Sequence, residues 1–230
     1  MIERQWNVRR ILMNQIELSG IEYYYFLTAD YYFKQKDYNR VIKDNHRLRK
    51  ILRKFFKSDL HVIIAIEKHT DEDSPHYLGY HRHLILERIP DERWKDPTNS
   101  MMNFMLNLNE EAAFGMKMGQ VPPVEIQNKF IAKVCRDLNQ SIPNGYVGTD
   151  VTEIKESKGG VWGLVKYMTK QVDLFHPAYE VIDPSSDIDF TPIMDLYNDN
   201  KAGARSQIVF AGSDRSLRRQ SFSKKGALVK

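Results

Sequence analysis

Cysteine is nearly missing from this chain of 230 residues, which contains only Cys135. One cysteine excludes an internal disulfide and is typical of a reducing compartment, so we expect a cytoplasmic protein. Long apolar runs are also missing, because charged residues interrupt every apolar stretch, and we expect neither a membrane span nor a secretory signal. The chain has no Gly-x-x-x-x-Gly-Lys-Ser/Thr loop, which excludes an ATPase or helicase of that kind.

Basic charge is concentrated in two places. The net charge is +4, yet residues 201–230 carry eight Lys or Arg and one acid, whereas residues 171–200 carry seven acids and no Lys or Arg. Residues 40–57 form a second basic zone, which fits phosphate contact, although a solvated helix face explains it equally well. The composition predicts one domain over residues 1–177, followed by an acidic linker and a basic C-terminal tail over residues 178–230.

Hydrophobic periodicity predicts a mixture of helices and strands. Helical spacing of apolar residues predicts helices over residues 6–18, 37–56, 124–138 and 160–172. Aromatic, β-branched and apolar segments predict strands over residues 21–29, 60–68, 81–87 and 146–154. This order, with one hairpin-joined strand pair, predicts an α+β fold with a ferredoxin-like antiparallel sheet and helices packed mainly on one face. The Met-rich segment over residues 101–118 has two interpretations, a lid and a packing helix, and the sequence favours neither.

His81 and His83 lie one residue apart on a predicted strand. Side chains alternate along a strand, so both imidazoles point to one face and could bind the same metal ion. A hairpin with the preceding strand would place Glu67 opposite His83 and His69 opposite His81. Two imidazoles with a carboxylate suit Mn²⁺ or Mg²⁺. We therefore predict a metal site of His81, His83 and Glu67, with His69 and Asp71 as alternatives to Glu67; partly exposed histidines without a metal are the simpler explanation.

Tyr167 and Lys170 lie on the last predicted helix. The packing stripe of that helix consists of apolar residues, namely Val161, Leu164, Val165, Met168 and Val172. Tyr167 and Lys170 are neighbours, three residues apart, and lie off this stripe, so the tyrosine hydroxyl is available for chemistry. Lys170 would favour the ionised hydroxyl or stabilise charge on a reacting phosphate. A tyrosine at the rim of the core beside a solvated lysine is the simpler explanation.

Taken together, the two motifs resemble a known family. The strand His81-Arg82-His83, followed later by Tyr167-Met168-Thr169-Lys170 on a helix, resembles the HUH endonucleases, and more narrowly the rolling-circle replication initiators of plasmids and single-stranded DNA phages. Phe26-Leu27-Thr28-Ala29 corresponds to an upstream strand motif, so the resemblance covers residues 20–175. Arg82 departs from the bulky hydrophobic residue usual at its position, and His76 is a rival motif histidine whose partner position holds no ligand.

The resemblance implies a metal-dependent DNA endonuclease and strand transferase with the HUH fold over residues 1–177. His81, His83 and Glu67 would hold Mn²⁺ or Mg²⁺, and Tyr167 would form a 5′-phosphotyrosine link that leaves a free 3′-hydroxyl. The DNA would be single-stranded or hairpin origin DNA in a bacterial or phage-infected cell, and a host helicase and a host polymerase would act with the protein. Phosphates would be bound by basic residues, namely Arg47, Lys50, Arg53, Lys54, Arg82 and Lys166, and by the tail.

The order of the motifs discriminates within the family. Conjugative relaxases carry the tyrosine before the histidine cluster, whereas here Tyr167 follows it. Gly163 and Gln171 occupy the positions of a second tyrosine, which disfavours the two-tyrosine initiators. Three alternatives stay open: a single-tyrosine HUH transposase, a non-cleaving DNA-binding regulator of the same fold, and a metal-dependent hydrolase that uses water. The recognition sequence and the oligomeric state are not predicted.

Overall fold

The structure is a computed structural model that describes residues 3–31, 34–56, 58–95, 121–137, 146–174 and 176–198. Within these ranges the strands are β1 (Tyr23–Tyr31), β2 (Val62–Lys68), β3 (Tyr80–Glu87) and β4 (Tyr146–Glu153). The helices are α1 (Glu3–Ser19), α2 (Tyr38–Phe56), α3 (Asp91–Trp94), α4 (Val124–Asp137), α5 (Gly160–Met168), α6 (Ala178–Val181) and α7 (Thr191–Asn198). The predicted Met-rich segment over residues 101–118 and the basic tail over residues 201–230 lie outside the described residues.

Each predicted helix and strand is present, and α3, α6 and α7 add to them. The main difference is at the end of α5, which stops at Met168 instead of continuing to residue 172. Thr169 ends the helix with φ −101° and ψ 9°, and its hydroxyl accepts a hydrogen bond from Arg9 at 2.9 Å. Lys170 therefore lies just beyond the helix that carries Tyr167. Among the described helices, none has both the length and the apolar composition needed to cross a membrane.

The four strands form one antiparallel sheet in the order β2-β3-β1-β4. Because β3 lies between β1 and β2, the chain passes from β1 through α2 to β2 across one intervening strand. The α+β class is confirmed. β1, a central strand, alternates between buried and half-buried residues, whereas β2 is buried at six of its seven positions although it is the last strand of the sheet.

Helices cover both faces of this sheet. On one face, α2, α3 and α4 pack against side chains that include Ile64 and Leu84. On the other face, α1, α5, α6 and α7 pack against side chains that include Ala65 and Ile85. The prediction that the helices pack mainly on one face is therefore wrong. The apolar run of β2 is the physical reason, since a strand that is apolar on both sides needs cover on both sides.

Residues 178–198, predicted as part of an acidic linker, instead pack along the outer edge of β2. Ile182 forms a β-bridge to β2, and the backbone N–H of Asp187 donates to a β2 carbonyl at 2.8 Å. The Asp187 carboxylate accepts hydrogen bonds from Arg49 and Arg53 of α2. The acidic composition of this segment therefore reflects ion pairs and the covering of a sheet edge, which would otherwise expose unpaired backbone groups.

Candidate active site

Neighbouring strands bring the predicted metal ligands onto one face of the sheet. Glu67 of β2 lies opposite His81 of β3, and His83 follows two positions further on the same face. The predicted register, with Glu67 opposite His83, is wrong by two residues, because the hairpin loop closes with a hydrogen bond of 2.9 Å from the His69 N–H to the Gly79 carbonyl. A shift of two residues leaves each side chain on the same face, so the three predicted ligands still converge.

Glu67, His81 and His83 form a compact, buried triad. His81 Nε2 and His83 Nε2 are 3.1 Å apart. Glu67 Oε2 lies 3.4 Å from His83 Nε2 and 3.5 Å from His81 Nε2. Donor atoms bound to one divalent ion at about 2.1 Å are about 3.0 to 3.4 Å apart, depending on the coordination geometry. The three atoms are therefore spaced as the ligands of a single ion would be.

An orphaned polar atom of the triad supports the same assignment. Glu67 Oε1 is buried and has no hydrogen-bond partner among the described residues. Buried polar atoms without a partner are rare, because they lose their interaction with water and gain nothing in return. Two imidazoles and a carboxylate are also a donor set that suits divalent transition metals. The residues present therefore fit a divalent metal ion.

Burial and neighbouring groups control the charge of the triad. Burial lowers the pKa of His83, which favours the neutral imidazole, the form that binds metals. The hydroxyl of Thr28 lies 3.1 Å from His83 Nδ1, which directs the other ring nitrogen toward the triad. Burial opposes ionisation of Glu67, but hydrogen bonds from His81, His83 and Lys170 hold its pKa at about 2. Glu67 is therefore an ionised carboxylate, as a metal ligand has to be.

Tyr167 lies directly beside the triad. Its ring centroid is 4.9 Å from that of His83 and 6.2 Å from that of Phe26, while 43% of the residue stays exposed. The prediction that Tyr167 lies off the packing stripe of its helix is confirmed, since it is exposed while the neighbouring Met168 is buried. Lys170 Nζ lies 3.7 Å from the Tyr167 ring centroid and 2.9 Å from Glu67 Oε2. The two sequence motifs therefore meet at one point.

Two polar side chains that were not predicted from the sequence fix the segment after Tyr167. Gln171 is buried, and its Oε1 accepts from the Lys68 N–H at 3.0 Å while its Nε2 donates to the Lys68 carbonyl at 2.8 Å. Gln5 of α1 donates to the carbonyls of Thr169 and Lys170, at 3.0 Å each. The sequence carries no signal for either contact, since Gln5 follows Arg4 and Gln171 follows Lys170 in polar surroundings.

The alternative metal ligands occupy different positions. His69 Nε2 lies 3.3 Å from Asp30 Oδ1, and the His69 ring centroid is 4.3 Å from that of His81. Asp30, His69 and His81 thus form a second group of possible ligands, which is more exposed than the triad. Asp71 is exposed and belongs to neither group of possible ligands among the described residues. His76 approaches His69, with 5.6 Å between ring centroids, and it too belongs to neither group. Glu67 is thus the best-placed third ligand.

Two of the basic residues predicted to bind DNA are engaged within the protein. Arg82 is fully buried on the opposite face of the sheet, where its guanidinium lies 4.8 Å from the Tyr31 ring centroid and donates to Asn45 Oδ1 at 2.5 Å. Strand alternation explains this position, since the residue between His81 and His83 has to point to the other face. A contact between Arg82 and DNA is therefore excluded in this fold. Arg53 forms an ion pair with Asp187 at 2.9 Å.

The other predicted DNA-binding residues lie on two different layers. Arg47, Lys50 and Lys54 are exposed on α2, which packs on the face of the sheet opposite the triad. Lys166 is exposed on α5, directly before Tyr167. Only Lys166 of these four lies on the same layer as the tyrosine. DNA that contacts Tyr167 would therefore meet Lys166 first, and would reach α2 only by passing around the edge of the sheet.

Known proteins do not identify the site. Comparison of the chain with models of protein families, with curated proteins and with solved structures gives no match. The site is therefore characterised by its own geometry, which is a buried triad of Glu67, His81 and His83, a half-exposed Tyr167 against it, and Lys170 in contact with both.

Proposed function

We propose that the protein is a metal-dependent endonuclease and strand transferase, which nicks single-stranded DNA through Tyr167 and thereby initiates rolling-circle replication. The observation that carries the proposal is the contact between the exposed Tyr167 ring and His83 of the buried triad, with 4.9 Å between centroids. The resemblance of both motifs to the HUH endonucleases supports it. So does the β-α-β-β-α-β connectivity of β1 to β4, which is that of ferredoxin-like folds.

Glu67, His81 and His83 would hold the divalent ion, Mn²⁺ or Mg²⁺. When bound, the ion supplies Lewis-acid polarisation of the scissile phosphate. Thr28 would keep the His83 ring in the orientation that presents Nε2, because its hydroxyl contacts the opposite ring nitrogen at 3.1 Å.

Tyr167 would be the nucleophile. Its oxygen would attack the phosphorus and lose its proton, the bond between phosphorus and the 3′ oxygen would break, and that oxygen would leave as a hydroxyl after taking up a proton. The products are a 5′-phosphotyrosine link and a free 3′-hydroxyl. Because the covalent link conserves the energy of the broken bond, attack by a 3′-hydroxyl would rejoin the strand. The free 3′-hydroxyl would also prime a host polymerase, with unwinding by a host helicase.

Lys170 would provide a fixed positive charge at the reacting group. Burial opposes its charge, but hydrogen bonding to Glu67 raises its pKa, so the ammonium is stable at neutral pH. Its Nζ lies 3.7 Å from the Tyr167 ring centroid, close enough to stabilise negative charge on the tyrosine oxygen or on the phosphate.

A covalent adduct tests the proposal. The protein is incubated with Mn²⁺ or Mg²⁺ and a pool of labelled single-stranded oligonucleotides, and the products are separated under denaturing conditions. We expect a labelled protein band that Tyr167→Phe abolishes and that EDTA prevents. Tyr179→Phe is the matched control, because Tyr179 lies on α6 and belongs to neither motif.

Each other outcome contradicts a defined part of the proposal. Cleavage that persists in Tyr167→Phe would indicate a hydrolase that uses water and would exclude the tyrosine as nucleophile. Binding of single strands without cleavage, across a randomised pool and with either metal, would indicate a DNA-binding regulator. An unchanged nicking rate in His83→Ala would exclude the triad as the metal site.

A further inference from the structure

A pair of tryptophans lies on the surface formed by α1 and α5. Trp6 of α1 and Trp162 of α5 contact each other edge to face, with ring centroids 6.0 Å apart. Trp6 is 43% exposed, as is Tyr167, and these are two of the five large hydrophobic residues that are exposed among the described residues. Trp162 is half-buried against the core, so Trp6 is the exposed ring of the pair, and its exposure on the layer that carries the candidate nucleophile calls for an explanation beyond packing.

Packing does not account for the position of Trp6. The apolar residues on the buried side of α1 are Val8, Leu12 and Ile16. Trp6 lies outside that stripe. Trp94 shows the contrasting case, since it is 4% exposed and packs against aromatic rings of the core.

Basic side chains surround the tryptophan pair. Lys166 is exposed, and its Nζ lies 5.1 Å from the centroid of the Trp162 ring. Arg10 is exposed one turn after Trp6 on α1. α5 contains no acidic residue, and α1 has Glu3 in its first turn. We call these four residues, Trp6, Arg10, Trp162 and Lys166, the tryptophan patch; it combines exposed aromatic surface with positive charge.

We infer that the tryptophan patch is a stacking subsite for single-stranded nucleotides that flank the phosphate attacked by Tyr167. Bases of any sequence stack on an aromatic ring, while Lys and Arg neutralise the phosphates between them. The patch and the nucleophile share α5, where Lys166, which lies over the Trp162 ring, directly precedes Tyr167. Lys166 beside Trp162 and Arg10 one turn after Trp6 favour a strand with negatively charged phosphates over a protein partner, because a protein surface would not require these positive charges. The inference rests on the proposed function for the identity of the strand.

The first measurement is affinity for a strand under conditions that prevent cleavage. The full chain in EDTA is titrated into dye-labelled oligothymidine, and the dissociation constant is obtained from fluorescence anisotropy. Loss of one stacking contact weakens binding by about 5- to 150-fold, and we expect this for Trp6→Ala. Trp6→Phe should keep most of the affinity, because a smaller aromatic ring still stacks. Leu18→Ala is the matched control, since Leu18 is 86% exposed near the other end of α1 and should leave the affinity unchanged.

The outcomes separate the subsite from the proposed function. Equal affinity of the wild type and Trp6→Ala would overturn the subsite, even where the wild type nicks DNA. Nicking is not required for the titration, so a chain that binds oligothymidine through Trp6 but never forms an adduct would support the subsite and contradict the endonuclease. An altered oligomeric state of Trp6→Ala on gel filtration, with unchanged DNA affinity, would show that the patch is a protein contact. Circular dichroism excludes misfolding, and Trp6→Phe provides a second check on it.

Discussion

The paired hydrogen bonds between Gln171 and the backbone of Lys68 suggest a direct test of how the nucleophile is positioned. Gln171→Ala removes both bonds, which are 3.0 and 2.8 Å long and attach the segment after Tyr167 to the strand that carries Glu67. Each bond stabilises a folded protein by about 1 kcal/mol, so we expect the free energy of unfolding to fall by about 2 kcal/mol.

The effect on nicking should be larger than the effect on binding. Lys170 precedes Gln171 and lies 2.9 Å from Glu67 Oε2, so release of Gln171 allows the ammonium and Tyr167 to move relative to the triad. Misplacement of a reacting group by about 1 Å costs about 100-fold in rate. We therefore expect the single-turnover nicking rate of Gln171→Ala to fall by about 100-fold, with little change in affinity for Mn²⁺ or for oligothymidine.

Gln15 offers a matched control. Its side chain makes the same pair of bonds with the backbone of Asp189, at 2.8 Å each, but these are exposed and lie away from the triad. Gln15→Ala should therefore leave the nicking rate unchanged. Urea titrations of both variants, with nicking measured at saturating protein, separate stability from positioning. A Gln171→Ala enzyme as fast as the wild type, or an equal loss of rate in Gln15→Ala, would refute the positioning role.

Three further changes test the proposed metal site and the fold behind it. Thr28→Val removes the hydroxyl beside His83 Nδ1 and should weaken Mn²⁺ binding by about 10- to 100-fold in calorimetry, with unchanged stability in EDTA. Arg82→Leu leaves the buried Asp183 carboxylate without its nearby positive charge and should lower the free energy of unfolding in urea by about 3 kcal/mol, part of which Asp183→Asn should restore. Asp187→Ala removes the ion pairs that attach residues 178–198 to α2 and should speed protease cleavage within that segment, whereas an unchanged cleavage rate would mean that backbone contacts alone hold it.

The convergence of the triad was predictable because an even error in strand register does not change the face to which a side chain points. His81 and His83 share a face whatever their partners are, since side chains alternate with a period of two. The two-residue error in the hairpin therefore left Glu67 on the correct face and changed only its partner, from His83 to His81. Tyr167 was predictable for a similar reason, because helical spacing separates it from the buried stripe that includes Val165.

Most contacts between segments that are far apart in the chain could not be predicted from the sequence. Gln171 and Lys68 are separated by 103 positions, and a side chain that bonds to a backbone amide has no periodic pattern. The acidic residues of 178–198 indicated a linker, because composition does not show that Asp187 forms ion pairs with arginines on α2. The second layer of helices did have a signal, namely the uninterrupted apolar run of β2, which is typical of a strand covered on both sides.

Arg82, which departs from the HUH motif that the sequence resembles, has a defined structural role. Burial lowers the pKa of Arg82 to about 10, which still leaves the guanidinium charged at neutral pH. It donates to Asn45 of α2, and Asn45 in turn donates to Asp183 of the segment that covers β2. A charged residue between the two triad histidines therefore connects β3, on the face opposite the triad, to α2 and to the segment that covers β2. A metal held by the triad, as proposed, would require its ligands to be fixed within a few tenths of an ångström, so an anchor at this position would support the triad, and a hydrophobic residue would do so by packing alone.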